Sequence, residues 1–168
     1  MDQLPRRKNQ RLPSYAYGSS GIYFITICTQ NRRPILSTIQ HGVGAGFPGP
    51  SVSVTALGQL VQLHLNTLTE RYPAASVLTQ VIMPDHVHII LEVRTGGPGD
   101  PAPTLSQIMG WFKFQTTKDI RAQECRLDKV WQRGYYEHVI RNQEDLLSCW
   151  AYIDSNPAKW LESRPQPV

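Results

Sequence analysis

The strongest hydrophobic pattern in the chain, at residues 80–92, predicts two β-strands that meet at a tight turn. The flanks are dense in Val, Ile and Leu, whereas Pro84 lacks the amide hydrogen of a strand ladder and Asp85 favours a turn. Because side chains alternate along a strand, His86 and His88 are expected on one face. The residues expected on the opposite face, towards a hydrophobic core, are Val87, Ile89 and Leu91.

Other segments carry the patterns of further strands and helices. Residues 21–29 are rich in β-branched and aromatic side chains, which favours a strand. Apolar residues recur at helical spacing over about residues 55–70, and again after Thr104, which is a suitable N-cap. A short strand is expected after Trp131, and a last helix is expected to begin at Asn142 with acidic residues in its first turn.

The last helix is expected to end at Asn156-Pro157, because the residue before a proline avoids the α region. Tyr152 and Asn156 are four residues apart in this helix and should lie on one flank. The resulting order of strand, helix, strand, strand, helix, strand, helix predicts an α+β fold. It is the ferredoxin-like β-α-β-β-α-β antiparallel sheet with an extra C-terminal helix, which should approach the sheet face of His86 and His88.

The length and the distribution of Gly and Pro predict one folded domain. A chain of 168 residues can bury one ordinary core. We expect a basic N-terminal arm at residues 1–20, the domain at residues 21–160, and a flexible tail at residues 161–168. The Gly/Pro-rich segments 42–50 and 96–103 are expected to be flexible loops with no chemistry of their own.

Composition narrows the class of protein. Hydrophobic residues make up 40% and charged residues 18% of the chain, which is typical of a globular protein rather than a disordered one. No apolar run is long enough to span a bilayer and the N-terminus lacks a secretory signal, so we expect a cytoplasmic protein with no membrane partner. Cys28, Cys125 and Cys149 are widely spaced, which predicts buried thiols rather than disulfides or a thiolate zinc site.

Basic residues exceed acidic ones and concentrate near the start of the chain. Seventeen Lys and Arg against thirteen Asp and Glu give a net charge of +4, which permits binding to a polyanion. Arg6, Arg7, Lys8 and Arg11 form a basic arm with interleaved tyrosines. Such an arm is suited to nucleic acid, with cations at phosphates and rings against bases, but it is equally compatible with a solvated tail.

Histidine and tyrosine supply the candidate chemistry. Two histidines that are two residues apart on a strand can bind one metal ion, or they can simply occupy an exposed strand face. His64 lies within the apolar stripe of a helix, where a core or boundary residue is more common than a metal ligand. Tyr135 and Tyr136 are possible nucleophiles, but a structural role as core or edge aromatics on a strand is favoured.

Three separated blocks resemble the single-tyrosine HUH transposases, and most closely the REP-associated tyrosine transposases. The blocks are PDHVH at residues 84–88, WQRGYYEH at residues 131–138 and YIDSNP at residues 152–157, and the resemblance spans roughly residues 5–160. It implies the ferredoxin-like sheet of the HUH endonuclease fold. It also implies an enzyme that nicks and rejoins single-stranded DNA near hairpins without ATP, and such a domain would occupy residues 21–160.

The resemblance assigns roles to particular residues. His86 and His88 match the two metal-binding histidines, Tyr152 matches the nucleophile, and Asn156 matches a position that supplies a third, oxygen ligand. The metal is expected to be Mg²⁺ or Mn²⁺ rather than a structural Zn²⁺, because this set contains no thiolate and the site must stay open. The product would be a 5′-phosphotyrosine and a free 3′-OH.

The implied partner is single-stranded or hairpin DNA. The protein could act as a monomer or a homodimer, and the resemblance to the REP-associated branch favours the monomer. Two other functions remain open, namely a hairpin-binding regulatory module that does not cleave and a metal hydrolase that activates water. The residues expected to contact DNA are Arg6, Arg7, Lys8, Arg11, Arg32, Arg33, Lys113, Lys118 and Arg133.

Overall fold

The computed structural model describes residues 20–41, 49–95 and 103–163. The basic arm and most of the two Gly/Pro-rich segments lie outside these residues, so the expectations for them stay predictions. The described chain forms six strands and four helices. In chain order they are β1 (Gly21–Cys28), β2 (Ser37–His41), β3 (Pro50–Val54), α1 (Ala56–Asn66), α2 (Leu68–Arg71), β4 (Ala75–Ile82), β5 (His86–Val93), α3 (Leu105–Gln123), β6 (Tyr136–Ile140) and α4 (Gln143–Glu162).

The main sheet has the strand order β4-β5-β1-β6, and every neighbouring pair is antiparallel. With one helical segment between β1 and β4 and another between β5 and β6, this is the ferredoxin-like arrangement. The predicted α+β fold with an extra C-terminal helix is therefore confirmed. Strands β1 and β5 lie at the centre, and their register pairs Cys28 with His86 and Thr26 with His88.

The two faces of the sheet differ in character. One face packs against α1 and α3 and forms the larger core, which includes Val87, Ile89 and Leu91 as predicted. Leu105, Ile108, Met109 and Phe112 supply the α3 side of this core. The other face carries a smaller apolar cluster made of Phe24, Ile90, Ile140 and Ile153, with Ile153 contributed by α4. The last helix thus covers the sheet face of the two histidines, as the alternation predicts.

Side chains cap three helices, and two of these caps, Thr104 and Asn142, are the ones that the sequence predicts. Thr55 accepts a hydrogen bond from the amide of Gly58, and Thr104 forms a capping box with Gln107. The side chain of Asn142 accepts a hydrogen bond from the amide of Asp145. The helix predicted at residues 55–70 is in fact two helices, because the backbone leaves the helical conformation at the junction of α1 and α2.

A β-hairpin between β1 and α1 was not predicted. Strands β2 and β3 pair in register, with Ile39 opposite Val52, and the Gly/Pro-rich segment connects them. Their polar residues alternate with only a few apolar ones, so each strand is too short and too polar to give a clear pattern. Both strands contact α4, so the hairpin extends the support of that helix.

The predicted end of the last helix at Asn156-Pro157 is wrong. Pro157 is buried inside α4, which continues to Glu162, so the first residues of the expected tail are helical. A proline inside a helix loses one backbone hydrogen bond, and tertiary contacts must offset that loss. Trp160, one turn beyond the proline, lies near the ring of His86 with the ring centroids 6.1 Å apart. The sheet therefore holds the final turns of the helix.

The prediction that the cysteines are buried is also wrong. Cys125 is exposed, and Cys28 and Cys149 are partly exposed. The reason is positional, since Cys28 and Cys149 lie on the β1 and α4 surfaces that face each other across an open cleft. Over the part of the chain that the structure describes, no helix is both long enough and apolar enough to cross a membrane.

Candidate functional site

An open cleft of about 1030 Å³ lies between α4 and the sheet face that carries the histidines. It combines residues from β1, β5, β6 and α4 with Arg32 from the turn after β1. The lining residues are Phe24, Thr26, Cys28, Arg32, His86, His88, Gln132, Tyr136, His138, Asp145, Ser148, Cys149, Tyr152 and Asn156. The cleft therefore brings together all four residues to which the sequence assigns catalytic or metal-binding roles.

His86 and His88 present one nitrogen each to the same point. Their Nε2 atoms are 3.0 Å apart, and the two ring centroids are separated by 4.6 Å. Both side chains are buried by the neighbouring strands and by α4. Strand alternation thus places two convergent imidazoles side by side on one face of the central sheet.

Two further residues fix the orientation of the rings, and the sequence did not assign this role to either. Asp85 is buried, and its carboxylate accepts a hydrogen bond from His86 Nδ1 at 2.5 Å. Thr26 Oγ1 forms a hydrogen bond with His88 Nδ1 at 2.8 Å. An acidic residue next to a candidate ligand was a usable signal for Asp85. The pairing of Thr26 with His88 depends on strand register, which the sequence alone does not reveal.

Burial, with smaller contributions from the neighbouring His86 and Arg32, lowers the pKa of His88 to about 3. The ring is therefore neutral at physiological pH, and a neutral imidazole has a free lone pair for a metal ion. One hydrogen-bond pattern that satisfies these contacts has Thr26 donating to His88 Nδ1, His88 Nε2 donating to His86 Nε2, and His86 Nδ1 donating to Asp85. The threonine hydroxyl can reverse its direction, so the same contacts also suit a metal-bound His88.

Tyr152 projects from α4 over this pair. Its ring lies edge-on to His88 with centroids 5.2 Å apart and edge-on to Phe24 at 5.7 Å. The side chain remains 44% exposed, so its hydroxyl can reach a substrate in the cleft. The ammonium group of Lys159 lies 5.1 Å from the ring centroid. Asn156, one helical turn after Tyr152, is buried and lines the same cleft.

Tyr135 and Tyr136, the two other possible nucleophiles, lie in different surroundings. Tyr135 packs against the larger core on the opposite face of the sheet. Tyr136 is 46% exposed and lines the cleft, so it is an edge aromatic that also faces the candidate site. It differs from Tyr152 in that it stands on a strand, whereas Tyr152 shares a helix face with Asn156.

The donor atoms in the cleft fit a divalent ion. Two imidazole nitrogens converge, an amide side chain lines the same space, and the Nδ1 atom of each ring has its own partner. Metal-binding histidines ordinarily have such partners on the second nitrogen, because the partner fixes the tautomer and the ring orientation. His86, His88 and Asn156 would be the ligands of such an ion.

Arg32 brings a positive charge to the rim of the cleft. Its Nε lies 3.3 Å from Asp85 Oδ2, and one of its terminal nitrogens donates to Cys28 Sγ at 2.9 Å. The backbone of Arg32 has a φ of 55°, a left-handed conformation that is unusual for a residue with a side chain. Such strain is common where a side chain must be held in a functional position.

The other described cations that were expected to contact DNA differ in their surroundings. Arg33 and Arg133 are exposed and adjoin Arg32 and Gln132, which line the cleft. Lys118 is exposed on α3, the helix that packs on the opposite face of the sheet.

Lys113, which was also expected to contact DNA, makes contacts within the protein. Its ammonium group donates to the backbone carbonyls of Gln132 at 2.7 Å and Gly134 at 2.9 Å. Partial burial lowers its pKa. Lys113 therefore stabilises the turn before β6, and its contact with DNA stays a prediction.

Comparison with known proteins gives consistent matches. The family model described as "Transposase IS200 like" matches residues 56–156. An uncharacterised protein of Haemophilus influenzae is 30% identical over 177 residues, covering 96% of this chain and 93% of that protein. A REP-associated tyrosine transposase of Escherichia coli K12 is 24% identical over 148 residues, covering 87% of this chain and 73% of that protein.

Solved structures give the same fold. A REP-associated tyrosine transposase bound to a REP hairpin superposes with a TM-score of 0.60 at 23% identity. The superposition covers 96% of this chain and 75% of that chain. At this level of identity the likeness concerns the fold, which is that of the HUH transposases.

Proposed function

The chain belongs to the family of IS200-like transposases, and from the geometry of its cleft we propose that it nicks and rejoins single-stranded DNA near hairpins. Transposases are enzymes that process DNA, so the family accounts for the class of reaction. The finer proposal concerns a covalent intermediate on Tyr152 and a divalent ion at the histidine pair.

The observation that carries the proposal is the position of Tyr152. An exposed phenol stands beside two convergent imidazoles, with the Tyr152 and His88 ring centroids 5.2 Å apart. Asn156 follows one turn later in the same helix and is buried in the same cleft. A nucleophile next to a cluster of metal ligands is an arrangement suited to cleaving a phosphodiester through a covalent intermediate.

We assign His86, His88 and Asn156 as the metal ligands and Asp85 and Thr26 as the residues that orient the rings. An ion bound there, Mg²⁺ or Mn²⁺, would neutralise charge on a non-bridging phosphate oxygen. The low pKa of His88 keeps its ring available as a ligand without competition from a proton near neutral pH.

Tyr152 would attack the phosphorus atom in line with the bond to the 3′ oxygen. The phenol loses its proton, a phenolic oxygen–phosphorus bond forms, and the bond to the 3′ oxygen breaks. The departing 3′ oxygen takes up a proton and leaves as a 3′-OH, while the 5′ side remains as a phosphotyrosine. The ester bond is conserved, so attack by a 3′-OH in the reverse direction rejoins the strands without a nucleotide cofactor.

Hairpin DNA is the proposed partner for two reasons. The similar solved structure is that of a transposase bound to a REP hairpin. In this chain, Arg32 at the rim and exposed Arg33 and Arg133 beside it supply positive charge for the phosphates of a strand entering the cleft. The basic arm, at residues 6–11, is proposed to add contacts along the hairpin.

The first test is a search for the covalent intermediate. The full chain and a Tyr152→Phe variant are incubated with labelled hairpin DNA and Mn²⁺, and the products are separated on a denaturing gel. We expect a protein–DNA adduct with the native protein and none with Tyr152→Phe. Tyr136→Phe is the matched control, because Tyr136 has a similar exposure in the same cleft and should not affect adduct formation.

The same experiment separates the other two functions that the sequence left open. Cleavage without an adduct, unchanged in Tyr152→Phe, would show a metal hydrolase that activates water. Hairpin binding without cleavage in both proteins would show a regulatory binding module. An adduct that persists in Tyr152→Phe but disappears in Tyr136→Phe would move the nucleophile to β6.

A further inference from the structure

A second group of metal-ligating side chains lies in the cleft, on the wall formed by β6 and α4. His138 Nε2 is 2.9 and 3.0 Å from the two carboxylate oxygens of Asp145, and Cys149 Sγ is 3.9 Å from Asp145 Oδ1. One potential ligand atom from each residue lies within 4.8 Å of the other two. We propose that His138, Asp145 and Cys149 bind a zinc-like divalent ion, separately from the ion at the histidine pair of β5.

The donor set distinguishes this site from the first one. An imidazole nitrogen, a carboxylate oxygen and a thiolate sulfur are all ligands of Zn²⁺, whereas the histidine pair and Asn156 include no sulfur. In a tetrahedral zinc site, bond lengths of 2.0 to 2.3 Å place the ligand atoms roughly 3.3 to 3.6 Å apart. The nitrogen–oxygen and sulfur–oxygen distances here lie close to that range, so small side-chain rotations would suffice. Thiolate favours Zn²⁺ over Mg²⁺.

The local structure explains how the three residues meet. Asp145 and Cys149 are one turn apart on α4, and β6 delivers His138 from the adjacent sheet edge. The His138 side chain is 41% exposed and that of Asp145 27% exposed, so an ion can enter from the cleft. Three protein ligands leave one position of a tetrahedral ion for water or for an oxygen of bound phosphate.

The alternative role for this group is structural. Asp145 Oδ2 accepts a hydrogen bond from the backbone amide of Arg141 at 3.2 Å, so the carboxylate already supports the first turn of α4. An ion pair between His138 and Asp145 would tie β6 to that turn. The Cys149 thiol adds a long hydrogen bond to Asp145 Oδ1 at 3.9 Å, so in this role all three side chains would serve only to hold β6 against α4.

Metal binding would change the protonation of the group in a defined way. Burial raises the pKa of the Cys149 thiol, and the Asp145 carboxylate raises it further, so the sulfur carries a proton when no ion is bound. The ion would displace that proton to solvent and form a metal–sulfur bond. Bonds from the ion to His138 nitrogen and Asp145 oxygen would replace the hydrogen bond between these two residues. No electron is transferred.

Titration with Co²⁺ tests the site directly, because a cobalt–thiolate bond gives a charge-transfer absorption that oxygen and nitrogen ligands do not give. The full chain is freed of metal with a chelator, kept reduced, and titrated without DNA. We expect this absorption to saturate at one equivalent of thiolate-bound Co²⁺ and to disappear when Zn²⁺ is added. Cys149→Ser should abolish it, and His138→Gln should weaken Co²⁺ binding at least about tenfold.

Matched variants keep the result specific. Cys28→Ser and Cys125→Ser should retain the absorption, and so should a double variant, His86→Ala with His88→Ala, that removes the first site. Loss of the absorption in Cys28→Ser, or its persistence in Cys149→Ser, would overturn the assignment. Absence of the absorption in the native protein would also overturn the assignment, and the three side chains would then have only the structural role described above. Circular dichroism of each variant establishes that it is folded.

Discussion

At the scale of single residues, the orientation of the two imidazoles depends on partners that are not themselves candidate metal ligands. Asp85 and Thr26 each contact the Nδ1 atom of one ring, which directs both Nε2 atoms to a common point. The loss of such partners commonly costs about 10–100-fold in metal affinity, even though every direct ligand remains. The geometry of the candidate metal site is therefore set partly by residues that would never touch the ion.

We expect Asp85→Asn to lower Mn²⁺ affinity about 10–100-fold while leaving the protein folded. Asparagine keeps the shape of the side chain but removes the charge that His86 Nδ1–H and Arg32 approach. Calorimetric titration of metal-free protein measures the change. Glu92→Gln is the control, because Glu92 is an acid at the far end of the same strand that pairs with exposed Arg94. Equal affinities in the two variants would contradict the role of Asp85.

The low pKa of His88 predicts how stability depends on pH in the absence of metal. The unfolded chain protonates this ring near pH 6.5, but the folded protein does so only near pH 3. Between these values the unfolded state binds more protons, so acidification destabilises the fold by up to about 1.4 kcal/mol per pH unit. His88→Gln should reduce this slope, as measured by urea unfolding between pH 7 and pH 4 in a chelator. Identical slopes in variant and native protein would contradict the burial of a neutral ring.

At the scale of elements, the turn that carries Asp85 is supported from the side by the segment after β1. The amide of Thr29 donates to the carbonyl of Asp85 at 2.9 Å, and the amide of Leu36 donates to that of Pro84 at 3.0 Å. The carbonyl of Leu36 in turn accepts from the amide and the hydroxyl of Thr55, which caps α1. Through Leu36, the N-terminus of α1 therefore stabilises the turn before β5.

Gly58 allows this close approach, because a Cβ atom there would overlap the carbonyl oxygen of Leu36. We expect Gly58→Ala to lower the free energy of unfolding by about 1–3 kcal/mol or more, since a backbone group cannot move aside cheaply. Gly110→Ala is the matched control within α3, where an added Cβ meets nothing within 4 Å. It should raise stability by about 0.5–1 kcal/mol. Denaturant unfolding measures the free energy of unfolding of both variants. Equal changes in the two would contradict the close approach of Gly58 to Leu36.

Elements with a strong period were predictable from the sequence, and those determined by tertiary contacts were not. The faces of β5 from His86 to Val93 were predicted correctly, because successive side chains of a regular strand point to opposite faces. The β2–β3 hairpin is polar and half exposed, so its pattern is weak. Pro157 predicted a helix end because the preference of the residue before a proline is a local property of the chain. The contact of Trp160 with His86, which holds the helix beyond the proline, depends on the tertiary structure.

The same distinction applies to the site. Spacing in the sequence placed His86 beside His88 and Tyr152 beside Asn156, because these pairs share a strand or a helix. The approach of Tyr152 to His88 follows from the predicted fold. The contact between Thr26 and His88 requires the register of β1 on β5, and the meeting of His138 with Cys149 requires the position of α4. Neither is encoded in local spacing.

At the scale of the whole molecule, the positive charge of +4 should act mainly through the arm. Replacing Arg6, Arg7 and Lys8 with Ala should weaken hairpin binding, and it should flatten the slope of log affinity against log salt by about 0.7–0.9 per lost phosphate contact. Binding measured over a series of salt concentrations gives the slope.

A control for this prediction removes equal charge elsewhere. The exposed Arg71, Arg121 and Arg126 lie on or after α2 and α3, on the side of the sheet away from the cleft. Their combined replacement with Ala should change the slope far less. If both triple variants gave the same slope, the arm would have no special part in binding DNA.

Strand β5 contributes core residues on one face and both candidate metal ligands on the other, so an error in its register would affect the core and the site together. If β5 slipped by one residue against β1, both imidazoles would enter the larger core, and Val87 and Ile89 would turn towards the cleft. A chain with a misplaced metal site would therefore also lack a proper interior. A slip of one residue therefore cannot leave a well-packed fold with an inactive site, because the same register that buries Val87 and Ile89 also places the histidines in the cleft.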